Sequence, residues 1–291
     1  MINRRFESWM RKFSFGQLVI CFFLLLVFIV AAYPFFYTLS LAVMPYEEYV
    51  KRSVHVLPAG FTLYYFRDVL SNPKLARAFG NSILRTVIGT MLSVVATALT
   101  GYALSRRGPK LHGFLNLLFI VAMWFHGGMI PYYLTIRAVG LLNTFWAMII
   151  PGLVGSWNMF IARAYFRDYP QEVIDAAMMD GAGQFRTFWS IIWPTSKPLI
   201  ATLALLIGTA HWNDFFWPSI LVPPEWQPAP VMLNRMVVSR TVLLGLGVGV
   251  RIIPESFIAA VAAVLIIPVL LAYPFLQRYV VKGVMIGAIK G

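Results

Sequence analysis

Long apolar runs separated by short polar segments dominate the chain. Several runs lack Asp, Glu, Lys and Arg: 13–46, 86–105, 111–136, 138–162 and 256–277. Another apolar run, 198–222, contains one charged residue, Asp214. A helix needs about 20 apolar residues to cross the hydrocarbon core of a bilayer. The pattern therefore predicts an all-α integral membrane protein with six transmembrane helices, at about 18–43, 84–105, 112–133, 144–166, 198–222 and 255–277.

The composition agrees with a membrane protein. Apolar residues make up 59% of the chain and charged residues 12%, and the mean hydropathy is +0.74. Soluble domains are about 45–50% apolar and about 25% charged. Too little charge remains to cover a surface that faces water, which excludes an ordinary soluble enzyme, a disordered chain and a disulfide-stapled domain. The single cysteine, Cys21, cannot form an internal disulfide.

The net charge of +13 is explained by topology, because the basic residues lie between the apolar runs. Lys and Arg concentrate in the N-terminal tail, near 106–110, within 163–197 and in the C-terminal tail. Cytoplasmic loops carry such an excess, so both termini are predicted to be cytoplasmic. The first apolar run exceeds the 7–15 residues of a cleaved signal, and we expect it to be retained. No nucleic-acid partner is expected.

These boundaries define three parts of the chain. We expect a cytoplasmic N-terminal tail at 1–17, a six-helix transmembrane domain at 18–277 and a cytoplasmic C-terminal tail at 278–291. Two outer loops are long, at 44–83 and 223–254. The second is expected either to contact a partner outside the cell or to lie on the membrane.

The inner loop at 167–197 differs from the other loops. Pro170 suits the first turn of a helix, Glu172 and Asp175 lie near its N-terminus, and Gly181 can end it in a left-handed conformation. A second helical pattern follows, with apolar residues at Phe185, Phe188, Trp189 and Ile192. The loop is predicted to form two short helices along the inner membrane surface. Small residues at its tip would let another protein approach closely, and the alternative is an amphipathic connector without a partner.

The same loop resembles a known family. The sequence Asp-Ala-Ala-x-x-Asp-Gly-Ala at 175–182, with Phe188, Trp193-Pro194 and Pro198 after it, resembles the "EAA" loop of importer permeases of the ATP-binding-cassette (ABC) class. Asp175 stands where that family usually has Glu. Segments resembling its carbohydrate-uptake branch lie at 125–131, 140–144 and 211–216. The ending at 273–291 is similar to the sub-branch that imports complex or acidic oligosaccharides, such as uronate oligomers or alginate.

The resemblance implies a type I ABC importer permease fold in a bacterial cytoplasmic (inner) membrane. It implies a second homologous permease, two ATPase subunits and an extracytoplasmic solute-binding protein as partners, with ATP and Mg in the ATPase subunits. In that family the loop docks in a cleft of the ATPase. The residues assigned to this coupling are Glu172, Asp175, Ala176, Ala177, Asp180, Gly181 and Ala182.

This chain itself is not expected to be an enzyme or to hold a cofactor or metal. It has no G-x-x-x-x-G-K-[ST] phosphate-binding loop, and its four histidines are scattered. No set of nucleophile and base is evident, which disfavours a membrane enzyme. Two further alternatives stay open, namely an ABC permease for a non-sugar solute, such as a polyamine or glycerol phosphate, and a stand-alone secondary carrier or channel.

Polar and aromatic side chains within the apolar runs are candidates for the substrate path, because such residues are costly in lipid and usually face the bundle interior. The alternative is hydrogen bonding between helices together with an aromatic belt at the interface. Asp214 is expected to pair with the backbone or an Arg. The candidates for the path are His126, Trp157, Asn158, Trp212, Asn213 and Trp217.

Overall fold

The computed structural model describes residues 15–52, 57–106, 110–125, 127–245 and 253–288, and the regular structure of these residues is helical. Short 3-10 turns lie at Phe145–Met148, Ile150–Gly152 and Pro224–Trp226. The helices are α1 (Phe15–Ala42), α2 (Tyr46–Lys51), α3 (Tyr64–Ser71), α4 (Pro73–Ser105), α5 (Lys110–Trp124), α6 (Met129–Ala138), α7 (Ser156–Arg167), α8 (Gln171–Met179), α9 (Gln184–Thr195), α10 (Lys197–Asn213), α11 (Phe216–Leu221), α12 (Ala229–Gly245) and α13 (Glu255–Ala288).

Three described segments are long and apolar enough to span a membrane as single helices: α1, α4 and Glu255–Ala272 of α13. Two bent pairs pass the same test, namely Phe145–Gly152 with α7, bent by 47°, and α9 with α10, bent by 82°. Length and composition thus allow up to five spans in the described residues. The apolar part of α5 is shorter, and a break separates it from α6. Six spans with cytoplasmic termini remain a prediction.

The chain divides into two compact units, and the first contains Met1–Val69 and Gly247–Val264. Its helix α1 is apolar on all sides, and none of the most apolar 18-residue window is buried within the protein. A helix with this pattern is suited to lipid. Tyrosines order the region after α1: the Tyr49 hydroxyl donates to the Glu255 carboxylate, and the Tyr46 N–H donates to the Tyr65 hydroxyl at 3.3 Å.

The second unit contains Leu70–Leu246 and Leu265–Gly291, and α4 is its central helix. The Asn72 side chain accepts hydrogen bonds from the N–H groups of Lys74 and Leu75, and Pro73 occupies the first turn, so the helix begins there. Helix α4 packs most extensively on α7 and α10.

The buried face of α4 carries a small or polar residue at every fourth position, which we call the α4 stripe. A Cβ atom on Gly101 would lie 2.6 Å from the Ala162 Cβ of α7, and one on Gly89 would lie 2.8 Å from Nε2 of His211 in α10. These approaches leave no room for larger side chains. The stripe consists of Asn81, Arg85, Gly89, Ser93, Thr97 and Gly101.

The start of the loop predicted at 223–254 is bonded to α4. Asn81 donates from its side-chain amide to the carbonyl oxygens of Glu225 (2.8 Å) and Gln227 (3.3 Å). The Ser82 hydroxyl accepts from the N–H of Ala229 at 2.9 Å, where α12 begins. The loop predicted at 223–254 therefore contains a helix with an anchored start.

We expect Gly101→Ala to lower the stability of the purified protein by about 1–3 kcal/mol, the usual cost of overpacking. The added methyl group would press on Ala162 and on the backbone N of Arg163, at 2.9 Å. Thermal unfolding in detergent measures the loss. The matched control is Gly80→Ala in the same helix, where a Cβ meets nothing within 4 Å. Equal unfolding temperatures for both variants would contradict a tight contact between α4 and α7.

Candidate functional site

A tight glycine turn joins α8 to α9. The N–H of Ala182 donates to the carbonyl of Ala177 at 2.9 Å, and the N–H of Gly181 donates to that of Met178 at 3.0 Å. Gly181 has a φ of 79°. This bonding is the Schellman motif, which ends helices at a left-handed residue, so the predicted helix end at Gly181 is confirmed. Pro170 lies one residue before the helix starts rather than inside its first turn.

One side of this helix pair is buried in the protein core. Ile174 and Ala177 of α8 are buried, as is Phe188 of α9. The ring of Tyr102, from α4, lies 5.2 Å from the ring of Phe188 and 5.7 Å from that of Phe166 in α7. Both short helices consequently share one core with the C-terminal ends of α4 and α7.

Hydrogen bonds add a polar connection to the end of α4. The Tyr102 hydroxyl donates to Oε1 of Gln184 at 3.1 Å, and Nη1 of Arg106 donates to Oε1 of Gln171 at 2.8 Å. The Arg106 guanidinium also lies over the Tyr102 ring, at 4.8 Å. Gln171 in turn donates to Asp175 at 2.9 Å. These bonds orient Asp175, which stands where the resembled family usually has Glu.

The opposite side of the helix pair is exposed. Ala177 faces inward, although the sequence suggested that it helps a partner approach, and Ala182 is half-buried. Met179 and Phe185, which are not among the predicted coupling residues, are 88% and 70% exposed. Acidic and bulky apolar side chains thus share a surface that suits a protein partner. The other predicted coupling residues are exposed: Glu172, Asp175, Ala176, Asp180 and Gly181.

An ion pair between the buried Arg85 and the half-buried Asp214 lies where α10 ends. Nη2 of Arg85 lies 2.6 Å from Oδ2 of Asp214. The same guanidinium donates to the main-chain carbonyls of His211 (3.2 Å), Asp214 (3.2 Å) and Met148 (3.4 Å). Carbonyls at helix ends lack hydrogen-bond partners within the helix, and Arg85 donates the missing hydrogen bonds. The expected pairing of Asp214 with an Arg or the backbone is confirmed.

The ion pair connects two interrupted segments of backbone. Oδ1 of Asp214 accepts from the N–H of Trp217, in the first turn of α11, at 3.3 Å. Met148 ends the first 3-10 turn of the other bent segment. Arg85 and Asp214 together therefore hold the ends of α10, α11 and that turn.

A cavity of about 270 Å³ lies beside the ion pair. Two of the predicted path residues, Asn158 and Trp217, line it. The Trp217 ring packs on the ring of Tyr132, with centroids 4.2 Å apart. The cavity thus combines an aromatic wall with charged and amide groups.

Three further path candidates, Trp157, Trp212 and Asn213, are not among the residues that line this cavity. Trp157 and Asn213 are exposed. Trp212 is buried and donates from Nε1 to the carbonyl of Leu265 at 3.1 Å, so it joins α10 to α13. His126 lies outside the described residues. Among the residues that are described, no three His, Cys, Asp or Glu side chains form a group that could hold a metal ion.

Arg85 is not among the residues predicted from the sequence, because a single basic residue directly before an uncharged run does not stand out from the other charges between apolar runs. A signal was available in the spacing of four residues along the α4 stripe. Residues four apart lie on one face of a helix, and a polar face on an apolar helix marks its buried side.

Comparison with known proteins identifies the family. The model for the "Binding-protein-dependent transport system inner membrane component" family matches residues 103–286. The chain belongs to this family. This permease is 36% identical over 263 residues to Protein LplC of Bacillus subtilis, with 89% of each chain covered. It is 32% identical over 277 residues to the polygalacturonan/rhamnogalacturonan transport system permease protein YtcP of the same organism, covering 92% of this chain and 96% of YtcP.

A solved structure has the same fold as this permease. It comes from a bacterial ABC transporter involved in the import of the acidic polysaccharide alginate. The TM-score is 0.81 at 27% identity, and the match covers 92% of this chain and 98% of the other. The predicted all-helical ABC importer permease fold and location in a membrane are thereby confirmed.

We expect Asp214→Asn to destabilise the permease by about 3–5 kcal/mol, because it leaves the buried Arg85 guanidinium without its charged partner. Arg85→Gln should destabilise it less, because the Asp214 side chain is 24% exposed. The double variant should lose less than the sum of the two losses. Thermal unfolding of the four proteins in detergent gives the coupling energy. Asp168→Asn is the control, because Asp168 and Arg167 form an exposed pair at 3.9 Å, worth about 0–1 kcal/mol. Strictly additive losses would refute the coupling.

Proposed function

We propose that this permease is one of two homologous permease subunits in an ATP-driven importer, and that it moves oligosaccharides from a solute-binding protein into a bacterial cell. The strongest support is the match to the alginate transporter chain along nearly the full length of both proteins. Relatives with sugar names add to it, namely YtcP and the arabinooligosaccharides transport system permease protein AraQ of Halalkalibacterium halodurans, which is 27% identical over 267 residues.

We further propose an acidic oligosaccharide as the substrate. Alginate is described as acidic in the name of the structural neighbour. Galacturonan, in the name of YtcP, is a polymer whose sugar rings carry carboxylates. Alginate and galacturonan are both acidic polysaccharides, so the structural neighbour and the sequence relative support the same class of substrate.

In the proposed topology the domain at 18–277 crosses the membrane six times, and both termini and the 167–197 loop face the cytoplasm. Two ATPase subunits then bind ATP and Mg, and one of them docks on the exposed side of α8 and α9. The acidic and apolar side chains on that side, among them Asp180, Met179 and Phe185, support this docking.

The proposed mechanism is alternating access, driven by closure of the ATPases. In this chain the motion enters at α8 and α9. It reaches α4 and α7 through the packed rings of Tyr102, Phe166 and Phe188. The hydrogen bonds of Gln171 and Gln184 provide a second connection. Because these helices share one tightly packed core, they move together rather than absorbing the displacement.

The test is ATPase activity of this permease, co-expressed with the neighbouring permease and an ATPase subunit and reconstituted in lipid vesicles. The solute-binding protein is added without sugar or with oligogalacturonate, alginate or arabinan fragments. We expect stimulation only by a sugar-loaded binding protein, and most strongly by an acidic fragment. If the vesicles accumulated spermidine or glycerol phosphate instead of any sugar, the substrate would be a non-sugar solute rather than an oligosaccharide. Transport by this chain alone would indicate a secondary carrier.

We expect Gly181→Val to reduce ATP-driven uptake several-fold while leaving the amount in the membrane unchanged. Within this chain no neighbouring atom lies within 4 Å of a Cβ at this position, so the effect on the turn itself comes from the left-handed backbone, which costs a side chain about 1–2 kcal/mol. A distorted turn would misalign α8 and α9. Uptake and immunoblotting of membranes give the two values.

Two controls accompany this variant. Gly181→Asn should retain most uptake, because Asn tolerates a left-handed backbone. Gly183→Ala should be nearly neutral, because Gly183 has an ordinary φ of −68° and open space around it. Full uptake by Gly181→Val would remove the turn from the coupling mechanism.

A further inference from the structure

The cavity beside Arg85 contains buried polar atoms that lack partners within the protein. Ser93 is 2% exposed and Arg85 is 3% exposed, and both line the cavity. Neither Oγ of Ser93 nor Nε of Arg85 makes a hydrogen bond. Buried polar groups are nearly always satisfied, and leaving one unsatisfied costs about 1–3 kcal/mol. These two groups are therefore available to a polar occupant of the cavity.

The electrostatics of the cavity restrict what that occupant is. Both terminal nitrogens of Arg85 are already used by Asp214 and by main-chain carbonyls. Asp214 uses one oxygen for Arg85 and the other for the N–H of Trp217. The two charges cancel, and no pair of parallel N–H groups remains to hold a carboxylate. The other polar side-chain groups of residues that line the cavity are the Nε–H of Arg85, the hydroxyls of Ser93 and Tyr132, the Asn158 amide, the Trp217 indole N–H and the His211 imidazole.

The shape of the cavity fits a sugar ring. A volume of about 270 Å³ is just below the range of about 300–1,000 Å³ typical of small-molecule sites. It therefore suits a single ring rather than a whole oligosaccharide. The packed rings of Trp217 and Tyr132 form an aromatic wall, which matches the apolar face of a pyranose, while hydroxyl groups suit Ser93 and Asn158.

We infer that this cavity binds one sugar ring of the substrate through its hydroxyl groups, and that it does not select the ring by its charge. The inference rests on the proposed oligosaccharide import. It assigns Ser93 and Asn158 as hydroxyl-binding residues, Trp217 and Tyr132 as the stacking wall, and the Arg85–Asp214 pair as its neutral floor. Any preference for acidic sugars then arises elsewhere in the importer.

Thiol labelling tests this inference in the assembled importer. Cys21 is the only cysteine, so Cys21→Ala provides a background in which Ser93→Cys carries the single thiol. The complex in lipid nanodiscs is treated with a small methanethiosulfonate reagent, alone or with methyl galactoside, galacturonate or spermidine. At ten times the dissociation constant, a bound sugar lowers labelling about tenfold. We expect both sugars to protect Ser93→Cys to similar extents and spermidine not to protect it.

A matched pair of variants provides a second measurement. Ser93→Ala and Thr97→Val each remove a buried hydroxyl without a partner from the α4 stripe, but Thr97 does not line the cavity. Loss of one hydrogen bond predicts a fall of about two- to tenfold in uptake for Ser93→Ala. Thr97→Val should keep normal uptake. Equal uptake by both variants would count against a sugar contact at Ser93.

The outcomes separate this inference from the proposed function. Labelling of Ser93→Cys at the same rate with and without sugar, in a complex that imports an oligosaccharide, would show that the cavity holds only water. No labelling in such a complex would show that the cavity is closed to solutes. Protection by galacturonate but not by methyl galactoside would show that the cavity selects its sugar by charge. A complex that imports no oligosaccharide at all refutes the proposed function, and the sugar site with it.

Discussion

The close approach of α4 to its neighbours is the constraint on which the second unit depends. Inside a bilayer, apolar side chains gain little by leaving lipid for another helix, so association relies on tight packing and hydrogen bonds. Gly89 and Gly101 provide the packing, and Arg85 and Asn81 provide hydrogen bonds. The α4 stripe therefore combines in one helix face both interactions that are effective in lipid.

The two halves of α4 contact different parts of the protein, and the length of the helix sets the distance between those contacts. At about 1.5 Å per residue, its 33 residues extend for about 50 Å. Arg85, in the N-terminal half, holds the interrupted segments, whereas Tyr102 and Arg106, at the C-terminal end, hold α8 and α9. Because the helix contains no proline after its first turn, a displacement at one end is carried to the other without a flexible joint.

Sequence patterns predicted the apolar segments and the glycine turn, since hydropathy and backbone preference are local properties. They placed the start of the second helix at residue 84, whereas α4 begins at Pro73. Hydropathy indicates only the part of a helix that lies in the hydrocarbon core, whereas the Asn72 cap sets the residue at which α4 begins. The break after Asn213 lies within an apolar run and depends on Arg85, which is distant in sequence. Burial of Ala177 also depends on tertiary packing.

The acceptors of Arg85 also bear on how the sequence can change. Its partners at Met148 and His211 are main-chain oxygens, which every amino acid possesses, whereas the bond at Asp214 includes a side chain. Substitution at residue 148 leaves the corresponding acceptor in place. Second-site suppressors of a defect at Arg85 should therefore concentrate at residue 214. In related proteins, the identities at 85 and 214 should change together, while 148 varies without regard to either.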